Sequence, residues 1–296
     1  VAAEAVRVLG EVKRAGAPFL LAVGFWKPHA PFNAPKKYWD LYDRAKLPPL
    51  EPRRPLGAPE VAFHDSREIL GLPDARVTPT AEEMAEMRHG YFANISYMDA
   101  QIGKVLDALD RSGVAERTII VFVGDHGYHL GEHTLWGKTS TFELDARVPL
   151  MIATPGGRHA GKRTVAFAEL VDLFPTLVDL CGLPKAAGLD GLSLKPVLTN
   201  PAATVKPAAF TQHPRPAYFD READKQPKAM GCSVRTAQVR YTEWRDWKTG
   251  EAIARELYAE ADQPAETRNV IDDPKFASAQ REAEALLRAR FPKLTH

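Results

Sequence analysis

Asp125 and His126 stand where chemistry is easiest to place. Six apolar or β-branched residues, 118–123, precede them and read as a strand buried on both faces, which Gly124 ends. In open α/β sheets ligands bind at the carboxyl ends of strands. A carboxylate beside an imidazole there could hold a hard or borderline cation, provided other carboxylates complete the shell. The same pair could instead cap a turn and pack. Lys27 and His29 occupy a second loop of this kind, K-P-H-A-P-F at 27–32, whose two prolines exclude regular structure. If the two strands are neighbours, these side chains open into one crevice with Asp125. They would then offer a bound oxyanion charge-assisted hydrogen bonds and a proton for a leaving group. Lys138 is a further cation for an anionic substrate.

Three other patterns carry less. His129-Leu130-Gly131-Glu132-His133 matches H-x-x-E-H, a zinc-peptidase helix motif. Glycines at 127 and 131 weaken any helix there, and a strand ends only a few residues earlier, so that reading is set aside. Asp272-Asp273 precedes Pro274 and reads as a helix cap. Asn94-Ile95-Ser96 matches a glycosylation sequon but falls inside a helix.

The elements that must position these residues follow from periodicity. Residues 3–14 predict a helix with Ala5, Val8, Leu9 and Val12 on one face, feeding a buried strand at 18–26. Residues 33–79 read as a long surface excursion. Thr80 and Glu83 form a capping box for a helix that ends near Gly113. Residues 148–154 predict a third strand, and 172–181 a helix stopped by Gly182. From 230 to 247 a broken alternation predicts antiparallel strands with one wet face, and a last helix covers about 275–290. The organisation is an α/β body over 1–205 and a smaller α+β piece over 206–296.

With 296 residues, net charge +1, 45% hydrophobic and 26% charged, the chain has an ordinary globular composition. It gives no sign of a nucleic-acid or membrane partner. Cys181 and Cys232 cannot build a disulfide framework and read as two buried thiols. The opening helix has no initiator Met or signal pattern, so the chain is expected to be a piece of a longer protein.

Taken together, KPHAPF at 27–32 and GDHGYHLGEHTLWGKTSTFELDARVPLMIATPG from 124 resemble two segments of the type I, formylglycine-dependent sulfatases. The resemblance runs to the iduronate-2-sulfatase-like branch. It extends through GYFANISYMDAQIGKVLDAL, ELVDLFPTLVDLCGL, TQHPRP and MGCSVRTAQVRYTEW. It implies an alkaline-phosphatase-like α/β sandwich with a mixed, largely parallel central sheet and a C-terminal α+β subdomain carrying an antiparallel sheet. It also implies one calcium ion, with Asp125 and His126 among its ligands. His29 would protonate the departing alcohol and Lys138 would bind a sulfate oxygen. Lys27 would shape its loop or touch substrate, and Tyr128, Trp136 and His213 could line a sugar pocket.

The expected reaction is hydrolysis of a sulfate monoester on a sugar or glycosaminoglycan-like substrate, in an exported or lysosomal enzyme. The formylglycine precursor motif, C/S-x-P/A-x-R, is absent: neither Cys181 nor Cys232 fits it, nor does any serine. The paired N-terminal aspartates of the metal site also have no counterpart. The nucleophile is therefore expected in an N-terminal portion outside these residues, without which they should be inactive. The alternatives are a phosphonate or phosphodiester hydrolase of the same superfamily, or a non-catalytic homologue that binds sulfated glycans.

Overall fold

A computed structural model describes residues 1–64, 66, 69, 79–157, 159–262 and 264–292. In chain order its elements are α1 (Ala2–Ala15), α2 (Lys36–Trp39), α3 (Ala81–Ser112), β1 (Ile120–Val123), β2 (His129–Leu130), β3 (Trp136–Gly137), α4 (Glu143–Ala146) and β4 (Leu150–Ala153). There follow α5 (Leu173–Leu180), α6 (Lys195–Thr199), β5 (Ala209–Arg215), β6 (Ala229–Arg235), β7 (Val239–Asp246), β8 (Ala252–Ala259) and α7 (Ala277–Arg290). They fall into two compact units, each discontinuous in sequence: 1–51, 68–121 and 151–157 in one, 52–67, 122–150 and 158–296 in the other. This partition differs from a single division at residue 205, because the antiparallel sheet shares its unit with 122–150.

In the first unit α3 is the spine. The Thr80 hydroxyl accepts from the Glu83 amide while the Glu83 carboxylate accepts from the Thr80 amide, and Gly113 closes the helix at φ 73°. Leu9 and Val12 of α1 pack on Ala108 and Leu109 of α3. Farther along, Tyr38, Trp39 and Tyr42 lie against Tyr97, His89 and Phe92, and Arg88 donates to the Pro48 carbonyl (2.7 Å). At Gly90 a Cβ would come within 2.6 Å of the Phe32 carbonyl oxygen. The helix needs glycine there to admit the end of the 27–32 loop. Asn94 is fully buried in α3, so the sequon presents no surface acceptor.

Residues 18–26 correct an expectation, since no strand forms there. Leu21 joins the α1–α3 core, but Leu20 is 85% exposed and Trp26 71% exposed. A strand is defined by its ladder, and none of the described strands pairs with this run. β1 and β4 do pair, yet Val123 is exposed and Met151 is 59% exposed, so burial on both faces does not hold in this chain. Of the 33–79 excursion, residues 65, 67, 68 and 70–78 lie outside the described residues.

The second unit is built on the antiparallel sheet β5-β6-β7-β8, in register Val234↔Tyr241 and Tyr241↔Leu257. One face carries Cys232, Val234, Val239 and Tyr241 onto Ala279, Ala283 and Leu287 of α7. Asp273 caps the turn that starts this helix by accepting from the Lys275 amide (2.9 Å). The other face places Trp244 and Tyr258 against Leu135, Phe142, Ala62 and Phe63. The expected wet face is therefore absent: β7 is buried up to Arg245. Its polar residues are paired rather than solvated, Arg240 with Glu143 and with Glu266 (3.0 Å). Cys232 is buried as expected, whereas Cys181 is exposed.

Glu256 lies within this core, accepting from Trp244 Nε1 (2.7 Å) and the Tyr258 hydroxyl (2.6 Å). Burial raises its carboxyl to about 7 from an ordinary 4.5. A carboxyl raised on folding contributes stability at low pH that is lost as pH climbs through the folded value. Wild type should thus lose melting temperature between about pH 5 and pH 8, and Glu256→Gln should lose less. Equal losses in both proteins would contradict this assignment.

Candidate active site

The Asp-His-Gly turn is positioned from behind. After β1, the Gly124 amide donates to the Pro149 carbonyl (3.1 Å), the Gly127 amide to the Asp145 carbonyl (2.7 Å) and the Tyr128 amide to the Leu144 carbonyl (2.9 Å). A Cβ at Gly127 would sit 1.8 Å from the Leu144 oxygen, so only glycine permits the approach. Asp125 projects outward with its side chain 90% exposed. His126 Nδ1 meets the Gly127 carbonyl (2.7 Å), which assigns the ring proton to Nδ1. His126 Nε2 then presents a lone pair 3.7 Å from Asp125 Oδ2. A histidine held through one nitrogen by a carbonyl, with the other directed beside a carboxylate, is the form metal ligands take. By themselves the two could supply only part of the six to eight ligands that a calcium ion takes. No group of three or more His, Cys, Asp or Glu able to hold a metal occurs among the described residues.

Asp145, in α4, ties this turn to Lys138. Its Oδ2 accepts from the Ser140 amide (2.8 Å) and its Oδ1 from His129 Nδ1 (2.9 Å). His129 Nε2 meets His133 Nδ1 (3.4 Å), and His133 Nε2 donates to the Ala265 carbonyl (2.7 Å). An imidazolium at 129 and a neutral imidazole at 133 satisfy the whole chain, and the opposite shifts of the two rings favour this arrangement over its reverse. Burial opposes charge on His129, but the Asp145 carboxylate outweighs it and raises the pKa. Burial, with the charge on His129, lowers His133 to about 4. Burial would raise Asp145, yet the His129 charge and its hydrogen bonds keep it below its ordinary value. These are the two histidines of H-x-x-E-H. Gly131 at φ 107° and His133 at φ 56° fold them into the β2–β3 hairpin, not onto a helix.

Lys138 follows that hairpin between Gly137 (φ 92°) and Thr139 (φ 90°), two left-handed residues of which the second is β-branched. Tyr128 and His213 are half-buried in the same unit. His213 Nδ1 lies 3.3 Å from the Pro214 carbonyl, and burial together with the Arg215 charge lowers its pKa. Trp136 is placed differently from expectation. At 2% exposure on β3 it has no accessible ring face for a sugar, because the hairpin turns it into the interior.

Lys27 and His29 belong to the first unit. Lys27 Nζ donates to the Pro31 carbonyl and Asn33 Oδ1, both at 2.5 Å, and partial burial lowers its pKa. It is engaged in closing its own loop. His29 Nδ1 meets the Ala30 carbonyl (2.7 Å), and its ring lies against Trp26 (4.9 Å).

Family comparison decides what this arrangement belongs to. The sulfatase family model matches residues 1–183, and a model described as N-sulphoglucosamine sulphohydrolase, C-terminal, matches 131–291. The chain belongs to the sulfatase family. It is 34% identical to iduronate 2-sulfatase of Mus musculus, the match covering 91% of this chain and 61% of that protein. The chain thus spans about three-fifths of the length of this curated relative. Among solved structures, phosphonate monoester hydrolase from Silicibacter pomeroyi superposes with TM-score 0.78 at 27% identity, covering 98% of this chain and 59% of that one. A structure in complex with its substrate D-glucosamine-2-N,6-O-disulfate gives TM-score 0.62 at 28% identity over 73% of this chain and 42% of that one. The expected sulfatase-like α/β fold with a C-terminal antiparallel subdomain is thereby borne out.

Sequence reasoning about this sulfatase chain passed over Asp145. Its separation from His129 follows no local motif, and only the Ser140, Gly127 and His129 contacts reveal it. The buried pair has a testable cost. His129, raised above its ordinary 6.5, contributes stability that is lost as pH rises through its folded value. Asp145, lowered below 3.8, contributes stability lost as pH falls through its own. In the window between those folded values Asp145→Asn should lower the unfolding free energy by about 3–5 kcal/mol in urea titrations. A loss under about 1 kcal/mol would show that the pair holds nothing in place.

Proposed function

We propose that the protein hydrolyses sulfate monoesters, with a sulfated saccharide as substrate. Membership of the sulfatase family over 1–183 carries the reading, and the neighbour solved with a disulfated glucosamine supports the saccharide class. Calcium, partly held by Asp125 and His126, and a formylglycine outside these residues would supply charge neutralisation and the nucleophile. The remaining shell and that nucleophile belong, in this reading, to a portion of the protein corresponding to relatives' length beyond this chain.

What these residues contribute is binding and proton transfer. The Lys138 ammonium offsets charge on the sulfate oxygens as the S–O bond to the leaving alcohol breaks. His29 donates a proton to that alcohol oxygen, which would otherwise leave as an unstable alkoxide. With Nδ1 engaged by the Ala30 carbonyl, Nε2 is the atom that carries the transferred proton. Lys27 shapes the loop that presents His29, as its bonds to Pro31 and Asn33 indicate. Tyr128 and His213 are the proposed sugar contacts. No described helix is long and apolar enough to cross a membrane. An exported or lysosomal setting belongs to the same proposal.

The superposition on a phosphonate monoester hydrolase favours one second reading, a phosphorus ester as substrate on the same frame.

The test uses the whole protein and 4-nitrophenyl sulfate. His29→Ala and Lys138→Ala should each lower kcat/KM by about 10²–10⁴ while retaining the wild-type melting temperature. Removal of divalent ions by a chelator should abolish turnover, and added Ca²⁺ should restore it. Undiminished turnover in both variants would overturn the assignment of roles.

A further inference from the structure

We propose that Arg215 is a positioning residue for Lys138, acting through the Thr139 carbonyl; the inference rests on the sulfate-binding role proposed for Lys138. Arg215 ends β5 and is buried, with its guanidinium 4.7 Å over the Trp244 ring. Every hydrogen bond the guanidinium makes among the described residues goes to a backbone carbonyl. Nε donates to Val61 (3.0 Å) and Phe63 (3.1 Å), Nη2 to Ala62 (2.6 Å), and Nη1 to Pro214 (3.0 Å) and Thr139 (2.9 Å). A buried arginine normally meets a carboxylate fork. Here it has no such partner, and burial lowers its pKa to about 10. A buried cation whose hydrogen bonds all go to neutral carbonyls, with the Glu256 and Asp145 carboxylates favouring its charge only from beyond hydrogen-bond distance, is a costly way to join two loops. The loop that gains most is the strained one.

Thr139 sits at φ 90°, a conformation a β-branched residue leaves unless its surroundings hold it. Its carbonyl is fixed by Arg215 and the next amide, Ser140, by Asp145. On the other side Gly137 is held by the β2–β3 ladder, opposite His129. Lys138 is the one residue between these anchors, so the direction in which its ammonium leaves the turn is set by them. The planar fork of Arg215 reaches three chain segments at once. A lysine, with one ammonium, cannot reproduce that geometry.

The experiment is a double-mutant cycle on the whole protein, with 4-nitrophenyl sulfate as probe, comparing wild type, Arg215→Lys, Lys138→Ala and the double variant. Arg215→Lys should lower kcat/KM at least tenfold when Lys138 is present and less than threefold in the Lys138→Ala background. The melting temperature should change by the same amount in both backgrounds. An equal loss of kcat/KM in the two backgrounds would show a role in stability alone and overturn the inference. If Lys138→Ala by itself leaves kcat/KM unchanged, the sulfate-binding role fails and the inference fails with it. Should Arg215→Lys melt too low to assay, Thr139→Pro takes its place in the cycle. Proline cannot hold φ 90° and turns the carbonyl away from the guanidinium. The same collapse of the effect is expected, and equal losses would again overturn the inference.

Discussion

The buried ion pair of Asp145 and His129 is the constraint on which this half of the site depends. A carboxylate with two oxygens and a backbone carbonyl ties three things together: the turn after Asp125, the turn after Lys138 and the histidine hairpin between them. Each connection uses a group that would be costly to bury alone. Removing any one partner leaves the others unsatisfied, so the segment 125–145 holds its shape as a unit. Rigidity of this kind lets Lys138 and the Asp125-His126 pair keep fixed directions without a helix or long strand beneath them.

The same logic extends across the antiparallel sheet. Arg240 bridges Glu143 and Glu266, and Glu266 also accepts from the Glu143 amide (2.8 Å). β7 thus holds α4, and with it Asp145, through charges placed where a sandwich core would ordinarily be apolar. Such a buried network is weak evidence of added stability, since well-packed apolar residues could fill the same volume, but breaking it by removing one partner would leave a charge buried and unpaired. The C-terminal sheet is thereby the platform of the 125–145 segment, which accounts for the two falling in one contact unit.

Much of this was legible in the sequence. The Thr80/Glu83 capping box, the helix to Gly113, the Asp273 cap and the α7 face are local signals, and local chemistry decides them. The Asp-His-Gly segment was legible because its types and its place after a strand follow a general rule. What failed was long-range. An apolar run such as 18–26 announces that it must be covered, not which chain segment covers it. The alternation in β7 reads as a solvated face, whereas Arg240 finds Glu143 and Glu266 far away in sequence and Glu243 pairs with Arg245 two residues on within the same buried strand. Trp136 carries no local mark that would separate a buried ring from one presented to a ligand. Asp145 and Arg215 escaped for the same reason: their roles are defined by backbone groups, which every residue possesses.

The preference for sulfate over phosphorus esters proposed for this frame is open to a direct test. The most direct measurement compares kcat/KM of the whole protein for 4-nitrophenyl sulfate and 4-nitrophenyl phenylphosphonate under identical conditions. A larger value is expected for the sulfate. A larger value for the phosphonate would contradict it and assign the site to the second reading.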